Sequence, residues 1–320
     1  MKNLVIIGKV FPEPNSTAAG SRMIQLMDLF LAQNYQITFL STASVSENSF
    51  DLSSKNISFQ NIVLNDSSFD ELIKNLNPEI VIFDRFTTEE QFGWRVSEQV
   101  PNAVKILDTE DLHFLRTARE KAFKQNRNLE HLDLINDVFK REIASILRCD
   151  LSLIISEFEM NLLIEKFKMD ENILFYLPLF GAVKKPETSF SERKNFISIG
   201  NFLHEPNWQT VLQLKKLWKN IKNQLQEAEI HIYGAYASEK VFQLHNEKEG
   251  FIIKGRAENV VSVFNQAKIL LAPIPFGAGI KGKLLESMQF GLPNVTSTVG
   301  AEAMQGNFDW NGLPITKQNL

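Results

Sequence analysis

The residues best suited to chemistry lie in one short stretch. The turn Pro273-Ile274-Pro275-Phe276-Gly277-Ala278-Gly279-Ile280 runs into Lys281-Gly282-Lys283-Leu284-Leu285-Glu286. An apolar run ends just before it at Ala272, so the turn is expected to join a strand to a helix. Glycine lets the main chain approach a ligand closely, and a helix start offers free N–H groups and a positive dipole end to an anion. Lys281 and Lys283 add charged donors suited to a diphosphate. Glu286, about one turn into the helix, is placed to accept from ribose hydroxyls. A plain glycine turn with solvated lysines is the alternative reading of the same residues.

Two further loops carry candidates. Phe11 to Arg22 joins the first expected strand to the first helix, and its small residues leave room for a ligand. Arg22 falls in that helix's first turn, where a cation opposes the dipole; this points to an anionic partner, with a surface arginine as the alternative. Asp108-Thr109-Glu110-Asp111-Leu112-His113 follows the fifth expected strand. His113 is a candidate for contact with a sugar or with the reacting centre, against a structural histidine. The acids there lack a full oxygen-ligand set, so no metal is expected. Arg116 and Arg119 are candidates for acceptor or phosphate contact.

Apolar runs alternating with segments of helical period must position these loops, and that alternation predicts an α/β protein with parallel sheets. Strands are expected at Leu4–Ile7, Ile37–Leu40, Phe59–Leu64, Ile80–Phe83, Val104–Leu107, Leu151–Ile155 and Ile173–Leu177. Met23, Leu26, Met27, Phe30 and Leu31 form one helical face, and a longer stripe predicts a helix over Leu129–Arg148. The pattern lapses between Pro178 and Lys194 and restarts with strands at Phe196–Ile199, Ile230–Tyr233, Phe251–Ile253 and Ile269–Ala272. Helices are expected from Asn207, over Ser238–His245, over Val260–Gln266 and over Lys283–Phe290. The division is therefore a Rossmann-like domain at 1–178, a linker at 179–194 and a second Rossmann-like domain at 195–320. The last domain reads as incomplete, with Ile315 to Leu320 opening a segment they do not finish.

Bulk properties bound the function. A chain of 320 residues fits two cores of about 150 residues each. A net charge of −4 gives no basic footprint for nucleic acid. One cysteine, Cys149, makes neither an intrachain disulfide nor a cysteine-rich metal site, so a reducing, cytoplasmic setting is expected. The apolar run Leu4 to Ile7 is too short for a signal-peptide core or a membrane span. The 25 phenylalanines are scattered and read as core packing.

Ala272 to Met304, with Gly279, Lys281, Lys283, Glu286, Gly291-Leu292-Pro293 and Gly300-Ala301-Glu302, resembles the donor-binding segment of GT-B glycosyltransferases of group 1, family GT4. Gly200 to Pro206-Asn207-Trp208, Gly255-Arg256 and Ala19-Gly20-Ser21-Arg22 resemble other parts of the same family. The resemblance implies two Rossmann-like domains facing each other across a cleft, the first on the acceptor side and the second holding a nucleotide-diphosphate sugar. It implies Glu286 on the donor ribose and Gly279, Ile280, Lys281 and Lys283 on sugar and phosphates. Gly20, Arg22, Gly200 and Arg256 are further donor-binding candidates, and His113, Lys281 and Glu286 the catalytic ones. No metal or other cofactor is implied. Transfer to a glycan, lipid-linked or protein acceptor with retention of configuration is implied. The sequence departs from the family pattern at Ala278, where a second glutamate is frequent, and at Asn201–Glu205, where a basic pair is usual. It also offers no candidate for the final helix that crosses back to the first domain. A non-catalytic binding subunit or fragment, a partner subunit, a sugar-nucleotide epimerase and peripheral contact with the inner face of a membrane therefore stay open. A dinucleotide oxidoreductase is disfavoured, because Val5-Ile6-Ile7-Gly8-Lys9-Val10 lacks the Gly-x-Gly-x-x-Gly turn.

Overall fold

The structure is a computed structural model that describes residues 2–304 and the main chain of 313–315. Contacts divide the chain into two compact units. The first is Met1–Asn15 with Ala19–Phe180, and the second is Ser16–Ala18 with Gly181–Leu320.

The first unit is a sheet of seven parallel strands. These are β1 (Lys2–Gly8), β2 (Tyr35–Ser41), β3 (Ser58–Asn61), β4 (Ile80–Asp84), β5 (Val104–Asp108), β6 (Leu151–Ile154) and β7 (Leu174–Tyr176). Their spatial order is β3-β2-β1-β4-β5-β6-β7. Its helices are α1 (Ala18–Ala32), α2 (Ser68–Leu76), α3 (Phe86–Gln99), α4 (His113–Lys124), α5 (Asp137–Arg148) and α6 (Glu157–Asn161). Parallel strands covered on both faces need continuous apolar runs. Leu4 to Ile7 of β1 supply one, all buried. Met23, Leu26 and Met27 of α1 close over Leu4, Ile6, Ile37 and Phe39 in a single cluster.

The second unit repeats the plan with six strands. They are β8 (Lys194–Ile199), β9 (Ile230–Tyr233), β10 (Phe251–Gly255), β11 (Ala267–Ala272), β12 (Asn294–Ser297) and β13 (Leu313–Ile315), in the order β10-β9-β8-β11-β12-β13. The helices are α7 (Glu205–Gln224), α8 (Glu239–Phe242), α9 (Val260–Gln266), α10 (Gly282–Gln289) and α11 (Thr298–Ala301). In both sheets the order reverses direction beside the first strand, at β1/β4 and at β8/β11. Ligands of open α/β sheets bind outside the carboxyl ends of the strands at that place.

Several boundaries differ from the sequence reading. The stripe over 129–148 divides into a tight turn, His131–Leu134, and α5. Asn136 causes the break, because its side chain accepts from the Phe139 N–H at 3.0 Å and so caps a new helix. Leu132 is left 78% exposed, outside the apolar stripe it was expected to join. The strand expected to reach Leu64 leaves the sheet after Asn61, at the edge. The helix expected over Ser238–His245 keeps only the four residues of α8. Of residues 179–194, read as a linker, those from Gly181 on belong to the second unit. The Lys184 N–H donates to the Gln289 carbonyl at 2.8 Å, and the buried Arg193 donates to the carbonyls of Thr188 and Gly291. Residues 316–320, expected to open a new segment, lie outside the described residues. Replacing Asn136 by alanine removes the α5 cap; the urea midpoint is expected to fall by the equivalent of about 1 kcal/mol.

Candidate functional site

The glycine-rich turn stands where the second sheet reverses. It leaves β11 at Ala272, whose carbonyl accepts from the Ile274 N–H and the Thr296 hydroxyl. The Ser297 hydroxyl donates to the next free carbonyl, that of Ile274. Gly279 adopts a φ of +63°, a conformation that side chains resist. Lys281 then caps α10 from an extended conformation, and its ammonium bends back to the Gly279 carbonyl at 2.7 Å. Only 8% of Lys281 is exposed. Its charge therefore closes the turn.

Lys283, two residues on, serves differently. Its ammonium lies against the end of β8, where it donates to Asn207 Oδ1 at 2.8 Å. A Cβ on Gly200 would come within 2.8 Å of that ammonium and 2.7 Å of Asn207 Cγ, so this packing requires glycine. Gly234, at the end of β9, has the same constraint, since its Cβ would lie 2.2 Å from the Gly200 carbonyl oxygen. Burial pulls the Lys283 pKa down to about 8, with Glu286 acting in the other direction. Burial also raises the Glu286 carboxyl above its ordinary range, against the opposing charges of Lys184 and Lys283. A half-buried ammonium and carboxylate, one turn apart on α10, thus stand near the carboxyl end of β8 and its glycine floor.

The first unit gathers charges at its own reversal point. Asp84 ends β4, and its Oδ2 accepts from the Lys9 N–H at 3.0 Å and from Arg85 at 2.9 Å. Asp108 ends β5 and pairs with Arg22 at 2.8 Å, both fully buried. Arg22 also donates to the Leu177 carbonyl at 2.7 Å. Burial first, and then Asp108, drive the Glu110 carboxyl up to about 8. Glu110 Oε1 and Asp84 Oδ1 are buried without a hydrogen-bond partner among the described residues. A cavity of about 350 Å³ opens beside this cluster, lined by Gly8, Lys9, Thr42, Thr87, Thr88, Gln91 and Phe92.

His113 begins α4. Its Nε2 lies 3.4 Å from Asp111, which Arg116 also engages, and its ring meets Phe86 edge-on at 5.3 Å. Burial, reinforced by Arg116, Arg85 and Lys9 and opposed by Asp111, lowers its pKa to about 3. The imidazole is therefore neutral at physiological pH. The amides that open α4 are satisfied from elsewhere in the chain: Glu159 accepts from Leu112, and Glu142 accepts from His113 and Phe114 at 3.1 and 3.0 Å.

The structure thus brings Gly200, Lys283 and Glu286 together, with Gly279, Ile280 and Lys281 forming the turn beside them. Four of the expected residues lie in settings that the sequence did not anticipate. Arg22 is 2% exposed, and its cation pairs inside the first unit with Asp108. Gly20 makes room for the chain's own loop, since its Cβ would sit 2.4 Å from the Glu13 main chain. Lys281, expected on the phosphates, is folded into the turn. Arg119 stacks on Phe158 at 5.2 Å instead of offering a free cation. Arg256 is exposed just beyond β10. Asn207, Asp84 and Glu110 escaped attention as site residues. A helix-opening Asn207 after Pro206 and an acid closing an apolar strand, as at Asp84, were the available signals.

Comparison with known proteins agrees with this geometry. Residues 193–319 match the family model described as "Glycosyl transferases group 1". No curated protein sequence matches the chain. Among solved structures, TarM of S. aureus superposes with a TM-score of 0.74 at 10% identity, covering 100% of this chain and 89% of that one. Sucrose-phosphate synthase from Thermosynechococcus elongatus gives 0.71 at 13% identity, covering 99% and 86%. The pneumococcal O-GlcNAc transferase GtfA, in complex with UDP and GlcNAc, gives 0.69 at 12%, covering 100% and 89%. The fold is GT-B, and its second unit is a glycosyl transferases group 1 domain. The family model covers the second unit alone, and at these identities the solved structures bear on the fold.

Two changes test the electrostatics of the first unit. Arg22→Met strands a buried carboxylate, and a loss of about 3–5 kcal/mol in unfolding free energy is expected. Glu142 is raised by burial from 4.5 to about 8 when folded. Between those values the folded chain holds a proton the unfolded chain has lost, so stability falls as pH rises through that interval and levels off above it. Glu142→Gln removes this slope. Its urea midpoint relative to the parent protein should therefore climb from about pH 5 to about pH 8.

Proposed function

We propose that the protein, in the cytoplasm, moves a sugar from a nucleotide diphosphate to a hydroxyl on a glycan, lipid-linked or protein acceptor, with retention, as in family GT4. The observation that carries this reading is the half-buried Lys283 ammonium, held on a glycine floor where the second sheet reverses, with Glu286 one turn beyond. A diphosphate there meets a cation and the open amides of α10, while Glu286 takes the ribose hydroxyls. UDP in the complexes of GtfA and TarM is the same class of ligand.

In the reaction the acceptor oxygen bonds to the anomeric carbon as the bond from that carbon to the diphosphate oxygen breaks. The hydroxyl proton passes to the departing phosphate on the same face. Negative charge grows on the leaving group, and Lys283 with the helix amides stabilises it. No metal is needed for this. His113 takes part as a neutral hydrogen-bonding group toward sugar hydroxyls, because burial denies it a proton at neutral pH. The cavity beside Lys9 and Thr87 supports uptake of the acceptor by the first unit.

Thermal-shift and hydrolysis assays with UDP-, GDP- and dTDP-sugars test the proposal. One donor class is expected to stabilise the protein, by about 2.7 kcal/mol at a hundredfold excess over its dissociation constant. Glu286→Ala should abolish that shift, and an undiminished shift would refute the assignment. Donor affinity should also decline as pH rises past about 8, where Lys283 loses its proton.

A further inference from the structure

We infer that Asn207 is a positioning residue for glycosyl transfer, holding the Lys283 ammonium in place to receive the donor diphosphate. The inference rests on the donor site proposed above. A lysine side chain has four rotatable carbons and a compact charge, so a lysine left free must be ordered by each ligand it meets. Here the ordering precedes the ligand. Asn207 Oδ1 accepts from Lys283 Nζ at 2.8 Å. The other end of the same amide donates to the Asn201 carbonyl at 2.9 Å. Those partners fix which way the amide points, because a turned amide would set its NH2 against an ammonium and its oxygen against a carbonyl. Asn207 is itself seated in the first turn of α7, directly after Pro206, where its N–H donates to the His204 carbonyl at 2.9 Å. Gly200 completes the arrangement by leaving the space that both side chains fill.

The choice of an amide is chemically informative. A carboxylate at 207 would hold the amine equally well but would neutralise it, leaving less charge for a phosphate. A neutral acceptor orders the ammonium and leaves its charge for the ligand. The charged group acting on Lys283 is then Glu286, three residues along the same helix. Of the ammonium's three donors, one goes to Asn207 and two are left for a ligand.

Calorimetric titration of the full chain with the stabilising nucleotide sugar tests this in four proteins: parent, N207A, K283A and the double variant. N207A should weaken donor binding about tenfold, the effect of one hydrogen bond to a charged group. The double variant should bind no more weakly than K283A alone, since Asn207 acts through Lys283. N207D keeps the shape and serves if N207A fails to fold. It should move the alkaline fall in donor affinity to higher pH, because a carboxylate retains the lysine proton, while weakening binding at neutral pH. Losses that simply add in the double variant, or an alkaline limb unmoved in N207D, would overturn the role of Asn207 and leave the donor site standing. Unchanged donor binding by K283A would overturn both.

Discussion

An ammonium group can rest on the main chain at the end of β8 only because residue 200 has no side chain. That single exclusion of volume arranges the candidate site. It admits Asn207 from α7 and Lys283 from α10 to one spot beside the strand, although the two are far apart in sequence. Beside it α10 leaves the glycine-rich turn with Lys281 folded inward and Glu286 one turn further on. The packing places the lysine where desolvation makes its proton easy to lose. Burial thus lowers the lysine's pKa at the spot where Asn207 orders it.

The first unit solves a different problem. Four acids, Asp84, Asp108, Glu110 and Asp111, crowd the ends of β4 and β5, and mutual repulsion would scatter them in water. Arg22 and Arg85 compensate for two of them, while Glu110 keeps a proton. The arginine that the helix dipole disfavours is therefore explained from within, by a carboxylate at the adjoining strand end. The imidazole of His113 sits beside this cluster without charge, which suits recognition of hydroxyl groups better than proton donation.

Much of this was legible in the chain. Buried parallel strands need unbroken apolar runs, so Leu4–Ile7 and Ile80–Phe83 announce themselves, and glycine-rich connections mark where main chain meets ligand. The strand-to-helix turn at 273–283 was readable for that reason. The roles of Lys281 and Lys283 were not separable, because one points into the turn and the other toward β8, a matter of side-chain direction set by tertiary packing. Arg22 misled for the same cause: its partner lies 86 residues away in sequence. The stripe across 129–148 misled locally, since an apolar period continues through Asn136 while the asparagine side chain starts a new helix.

The start of α4 has one more implication. The amides of residues 112 to 114 are held by carboxylates from α5 and α6, not by a local cap. During synthesis the segment bearing His113 emerges well before those acids do. Its lasting shape must wait for residue 159, so vectorial folding completes the imidazole's surroundings among the last features of the first unit.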